Sequence, residues 1–263
     1  MSTIKVGAAI HYDAPLGLPN SGVVMLLVHG AGGSSRHWQP LLATALPSFQ
    51  NQGIFPIAID LPGHGASEGY VPDSIAATAQ FLDAFVEALG INQPICYVGQ
   101  SMGGLIGLQF ALAYPHRVSQ LVLMATAARI QLHPDFLQQA TTGRWDRQSL
   151  RQSFAPTIAE DVTQIVLDEF VHTRLTVDAD DFMGVSDVDL NDAIAQLHIP
   201  TLILTGDDDV IISPRKSKIL HRQISGSHLV TIPGAGHYLH VEQPKVVATE
   251  IMQFLKSNRV VLA

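Results

Sequence analysis

Residues 95–106 read Ile95-Cys96-Tyr97-Val98-Gly99-Gln100-Ser101-Met102-Gly103-Gly104-Leu105-Ile106. An apolar run meets Gly-x-Ser-x-Gly, and a helix-forming run continues through Tyr114. The pattern predicts a strand, a tight turn and a helix, with Ser101 at the tip of the turn. A turn this sharp strains the backbone of its tip residue. It also brings strand and helix so close that the flanking positions must be glycine. The strain lifts the Ser101 hydroxyl clear of the sheet, open to approach from one side. The Met102 amide then opens the helix, where unpaired N–H groups and the helix dipole favour a developing negative charge. An ordinary strand-to-helix turn that happens to hold a serine reads the same way, so the rest of the chain decides.

Working outward, Val23–Val28, Ile54–Ile59, Val118–Met124 and Thr201–Thr205 are short, almost continuously apolar runs. Such runs suit strands buried on both faces of a parallel sheet. A further strand is expected over 228–232 and an edge strand over 4–12, followed by a turn at 15–22. Helices are expected from near His37-Trp38, and over 73–89, 214–224 and 243–257. Strand and helix alternate, which predicts an α/β fold: a doubly wound, mostly parallel sheet with right-handed crossovers. Residues 129–193 break the alternation. They hold helical runs at Phe136-Leu137-Gln138-Gln139-Ala140 and from Ile158 to Leu175, with Trp145, Phe154, Phe170, Phe182 and Met183. The expected division is a core of residues 1–128 and 194–263 and a helical cap of residues 129–193. The cap is expected over the strand C-termini, where open α/β sheets bind ligands.

Composition narrows the partners. Lys+Arg 15 against Asp+Glu 23 gives a net charge of −8, with no basic cluster. This argues against nucleic acid and anionic membranes and leaves a small-molecule substrate as the expected partner. No apolar run approaches the ~20 residues of a membrane span, and Met1-Ser2-Thr3-Ile4-Lys5-Val6 has no signal core, so a cytoplasmic location is expected. The single cysteine, Cys96, excludes an internal disulfide and any multi-cysteine metal site, and reads as a buried small apolar residue. There is no Gly-Lys pair for a phosphate loop. Gly30-x-Gly32-x-x-Ser35 approaches a dinucleotide fingerprint but lacks its third glycine. Neither a cofactor nor a metal is expected.

A serine hydroxyl needs a base within hydrogen-bond reach and an acid to orient that base. After Ser101 the chain supplies both in the order Ser, Asp, His. Gly206-Asp207-Asp208-Asp209 follows the strand at 201–205, and Gly234-Ala235-Gly236-His237-Tyr238 follows the next. These loops fall at strand C-terminal ends, on the same sheet edge as Ser101. Three neighbouring aspartates compete for the acid role. His240, three residues after His237, reads as structural, because no His-Glu-x-x-His accompanies it. His64 reads as a turn-stabilising hydrogen-bonder, Trp38 as packing. The aromatic residues of 129–193 read mostly as cap core, with a minority facing substrate.

The chain resembles the α/β-hydrolase fold family over nearly its whole length outside the cap. The resemblance rests on five motifs in family order: His29-Gly30 with its Gly-rich continuation, Asp60-x-x-Gly63-x-Gly65-x-Ser67, Gly99-x-Ser101-x-Gly103, Gly206-x-x-Asp209, and Gly236-His237 followed by Glu242-x-Pro244. It implies Ser101 as nucleophile, His237 as base and then acid, and Asp209 as orienter, since the family's acid stands three after the glycine. It also implies an oxyanion hole from the amides of Ala31 and Met102. Dehalogenase and epoxide-hydrolase relatives carry Asp at the elbow, so Ser101 implies acyl transfer to water. The loop Gly32-Gly33-Ser34-Ser35-Arg36-His37-Trp38 is similar to esterase, enol-lactonase and perhydrolase relatives. The expected activity is hydrolysis of a small carboxylic ester or lactone through an acyl-enzyme. The alternatives are a carbon–carbon bond hydrolase or a thioesterase on the same fold, a nicotinamide-binding oxidoreductase, or a non-catalytic binding protein.

Overall fold

The computed structural model describes residues 2–172 and 175–258. Among these described residues eight strands form one sheet: β1 (Ser2–Val6), β2 (Ala8–Asp13), β3 (Val23–Val28), β4 (Ile54–Ile59), β5 (Ile95–Gln100), β6 (Val118–Met124), β7 (Thr201–Gly206) and β8 (His228–Ile232). Their order is β1-β2-β4-β3-β5-β6-β7-β8, parallel from β4 to β8. The edge strand expected over 4–12 is two strands. Gly7, at φ +72°, reverses the chain so that β1 folds back antiparallel on β2. A sequence read for alternation alone runs through that reversal.

The apolar runs bury both faces with a period of two. Val24, Leu26 and Val28 join one hydrophobic cluster while Met25 and Leu27 join the other. Tyr97 and Cys96 divide the same way on β5. Helices cover the two faces: α1 (Gln39–Asn51), α2 (Ile75–Ala88) and α3 (Met102–Ala113) precede β6. Ser74 caps α2 by accepting from the Ala77 amide at 3.1 Å, which starts that helix two residues later than the sequence suggests.

Between β6 and β7 lie α4 (Pro134–Thr142), α5 (Arg147–Arg151), α6 (Glu160–His172) and α7 (Leu175–Ser186). The helical run expected from Ile158 to Leu175 crosses residues 173–174, which lie outside the described residues. Phe154, Phe170 and Phe182 pack with Leu150, Val166 and Leu167 in a third cluster, separate from the two sheet clusters. Met183 is exposed and takes no part in it. The segment meets the core through loops at strand C-terminal ends: Glu169 binds Arg36 at 2.8 Å, and Asp181 binds the Gly32 amide. After β7 come α8 (Pro214–Gln223), β8, the single turn α9 (Leu239–Glu242) and α10 (Pro244–Ser257).

Candidate active site

The elbow has the expected geometry. Ser101 sits at φ 53° and ψ −116°, a conformation that L-residues avoid. A Cβ on Gly99 would lie 2.2 Å from the Gly103 carbonyl oxygen, and one on Gly103 would lie 2.3 Å from that of Val28. The strain is held from β6. The Ser101 amide donates to the Met124 carbonyl at 2.9 Å, and the Thr126 hydroxyl donates to the Ser101 carbonyl at 2.8 Å. Met102 is the first residue of α3, so its N–H has no acceptor within the helix.

Of the three aspartates, Asp209 alone is buried. Its Oδ2 lies 3.0 Å from His237 Nδ1, and its Oδ1 accepts from the amides of Ile211 and Ile212 at 2.9 Å each. Asp207 instead accepts from the Gly234 amide. The His237 loop is braced on both sides. Glu242 accepts from the amides of Gly236, Tyr238 and Ala155, and the His237 amide donates to the Ser153 carbonyl at 2.7 Å. Burial lifts the Glu242 carboxyl above its ordinary value despite those three N–H groups. Gln100, just before Ser101, donates through Nε2 to the His237 carbonyl at 3.1 Å and so ties the elbow to the histidine loop.

The loop after β3 is equally constrained. His29 Nε2 accepts from the Leu61 amide, so its proton is on Nδ1, which donates to the Gly30 carbonyl at 2.8 Å. Burial, with the adjacent His64 ring, lowers His29 to about 3 and keeps it neutral. Gly30 O and Ala31 N–H share one planar trans peptide, so this bond aims the Ala31 amide the opposite way. The Asp60 motif is a bracket around the loop. Asp60 accepts from the amides of Ser35 and Ala66, and Ser67 donates to the Asp60 carbonyl. Burial alone would raise Asp60; the amides of Ala66 and Ser35, with the Ser35 side chain and the His29 ring, together outweigh it and hold the carboxyl below its usual value.

Gly30, Ala31, Gln100, Ser101, His237 and Tyr238 line one small cavity of about 20 Å³. Its remaining wall is apolar: Ile130, Leu132, Phe136, Phe182, Ile211 and Ile212. A larger open groove of about 770 Å³ runs past Arg151, Phe154 and Asp207–Val210, but neither Ser101 nor His237 lines it. Phe170 and Trp145 pack inside the inserted segment and Phe154 stacks on Tyr238 without lining the cavity, so Phe182 is the one of the four expected aromatics that reaches it. Trp38 and His240 are buried against each other, ring centres 4.5 Å apart. Cys96 is buried, its thiol pushed up to about 12 by desolvation. His64 caps its turn at the Pro62 carbonyl, and its other nitrogen reaches Asp181 at 2.7 Å. Gln100, Thr126 and Asp181 carry no sequence signal of a role, because each acts across 25 or more residues.

Known proteins share this architecture. The model of the alpha/beta hydrolase family matches residues 25–250. A pimeloyl-acyl-carrier-protein methyl ester esterase of Neisseria meningitidis is 26% identical, over 92% of this chain and 96% of its own. An enol-lactonase of Burkholderia xenovorans superposes with a TM-score of 0.84 at 23% identity, covering 95% of this chain and 97% of its own. A thermophilic esterase of Thermogutta terrifontis gives 0.81 at 24%, covering 98% of each. At these identities the two solved structures speak for the fold alone.

Proposed function

The chain belongs to the alpha/beta hydrolase family, and from that premise we propose that it is a serine hydrolase cleaving a small carboxylic ester or lactone through an acyl-enzyme. The observation that carries the reading is a convergence: Ser101, His237 and Ala31 line one cavity, and His237 is oriented from behind by a buried, doubly anchored Asp209. Asp209 fixes the proton on His237 Nδ1, which leaves Nε2 as the base. In the proposed reaction Ser101 Oγ attacks the carbonyl carbon and its proton passes to His237. The oxyanion meets the N–H groups of Ala31 and Met102. His237 then protonates the leaving alcohol, and water drawn through the same base releases the acid.

Residues 129–193 serve in this reading as a cap that shapes the apolar side of the cavity and keeps water out. The esterase named among the relatives supports ester cleavage and leaves the acyl group open. The test is a fluorophosphonate probe on the wild type and on Ser101→Ala, followed by a screen of short p-nitrophenyl esters, lactones, thioesters and ring-cleavage dienoates. Labelling confined to Ser101 with turnover of esters or lactones supports the proposal. Labelling without turnover of either class, or equal labelling of Ser101→Ala, ends it.

A further inference from the structure

Asp181 belongs to α7, in the inserted segment, and stands outside every motif of the sequence. It is buried, and its Oδ2 accepts from the Gly32 amide at 2.8 Å while facing His64 Nε2 at 2.7 Å. The His64 ring packs on His29, centres 4.8 Å apart. Gly32 directly follows Ala31. The peptide planes on both sides of Ala31 are therefore tethered, one through Gly30 O to His29 and the other through Gly32 N to Asp181. Peptide planes are rigid, so only the φ and ψ of Ala31 lie between them. The Ala31 N–H lies in the first plane; the second tether holds the Ala31 Cα on which that plane pivots, so the two together keep the N–H from turning.

We propose that Asp181 is a positioning residue for the reaction: it reaches in from the inserted helices and, through Gly32, sets the Ala31 amide toward the oxyanion. This rests on the serine-hydrolase reading above. His29 holds the first plane from within the core, whereas Asp181 holds the second from a segment 149 residues away in sequence. The inserted helices then do more than wall the pocket, because one of them completes the loop that receives the developing charge.

Asp181→Ala removes the carboxylate that accepts from the Gly32 amide. His64→Leu/Asp181→Ala removes the ring that faces the carboxylate as well, so that no buried imidazole is left facing an empty site. Asp181→Asn keeps one acceptor oxygen and serves as the conservative variant. The full chain is assayed on a short aryl ester and with an aryl boronic acid, whose tetrahedral adduct on the serine needs the same amides. In both alanine variants kcat is expected to fall about 10- to 100-fold, part of what deletion of an oxyanion donor costs. KM should move less than about threefold, the boronic acid constant should rise as kcat falls, and Asp181→Asn should recover most of the rate. A folded variant with kcat near wild type, or a loss carried by KM alone, overturns the proposal. So does loss of the fold in both alanine variants, which would assign Asp181 to the scaffold. Ser101→Ala is run in parallel. If turnover survives it, the serine-hydrolase reading has failed; if it does not and Asp181→Ala keeps its kcat, this inference alone has failed.

Discussion

Asp209 turns one carboxylate oxygen to His237 and the other to the paired amides of Ile211 and Ile212. The amides choose how an amide replacement would sit. In Asp209→Asn the single carbonyl oxygen stays with its two N–H donors, and the NH₂ faces His237 Nδ1. The histidine must then accept at Nδ1 and carry its proton on Nε2, where it cannot take one from Ser101. The expected loss is about 10⁴-fold in kcat with little change in stability. Asp207→Asn and Asp208→Asn, both exposed, should stay within about tenfold. Steady-state kinetics on the three variants decides; a severe effect at Asp207 or Asp208 would move the acid role to it.

Ser101 presents a separable pair of effects. Ser101→Ala removes the nucleophile but keeps a side chain at φ 53°, so activity should fall by about 10⁴-fold or more while stability is nearly unchanged. Ser101→Gly should be as inactive and more stable than wild type by about 1 kcal/mol, because glycine accepts that backbone without strain. Urea unfolding of the two variants measures the difference. Equal midpoints would mean that the elbow stores no strain at this residue.

Three buried histidines set an acid limit on stability. Burial holds His29, His37 and His240 down at about 3, and neither His37 nor His240 has a hydrogen-bond partner on its ring among the described residues. The unfolded chain titrates its histidines near ~6.5. Below that value the unfolded state takes up protons that the folded state refuses. The stability is therefore whole above about pH 6.5 and is lost as pH falls toward 3, each group steepening the slope by up to about 1.4 kcal/mol per unit. Glu242, raised in the folded state, has the opposite sign and loses its contribution as pH rises; Asp60, lowered, adds to the acid loss only below its own unfolded value. The urea midpoint should drop between pH 7 and 4.5, and His37→Phe should flatten the slope. A level midpoint across that range would contradict neutral burial of these rings.

Glu242 holds three backbone amides at once, two beside His237 and one on the inserted segment. Glu242→Gln offers one acceptor where two stood and turns an NH₂ toward donors. About 1–3 kcal/mol of stability should go, and kcat should fall more than KM rises as the His237 loop loosens. Paired denaturation and kinetics test both; a variant less stable but with unaltered kcat would limit Glu242 to the scaffold.

What the sequence revealed follows from the range of each interaction. Runs such as Val23–Val28 are legible because burial on both faces demands apolar residues at every position. The elbow is legible because its whole pattern falls within a few residues, although only Gly99 answers to a local contact, with Gly103, while Gly103 answers to Val28 on the neighbouring strand. Gly7 went unread since one glycine within an apolar stretch does not by itself announce a reversal. Asp181 stands in the run Asp178-Ala179-Asp180-Asp181, where nothing local separates the residue bound to Gly32 from its neighbours. Gln100 and Thr126 act across the sheet edge and are found only once β5, β6 and the His237 loop are placed side by side.

The aromatic residues of the inserted segment divide by what they touch, and so should their variants. Phe170 packs against Trp145, ring centres 4.9 Å apart, within the segment's own cluster, and Phe154 stacks on Tyr238 at 5.0 Å. Truncating Phe170 to alanine empties core volume and should cost about 3–5 kcal/mol while leaving the order of preferred substrates alone. Phe136 and Phe182 meet edge to face at 5.3 Å and both line the cavity beside Ser101. Shortening either one enlarges the apolar wall where the acyl or alkoxy group would lie. The ratio of kcat/KM between a short aryl ester and a medium-chain ester should then shift toward the longer substrate by about 10- to 200-fold at most, the range that a few methylene contacts can discriminate. Probe labelling of Ser101 should persist in both variants, because the Asp209–His237 hydrogen bond is made without either side chain. Specificity constants for Phe136→Ala, Phe182→Ala and Phe170→Ala on the two esters form the test. If the ranking changes with Phe170→Ala and holds with the two cavity variants, the wall assigned to Phe136 and Phe182 is not where the substrate binds.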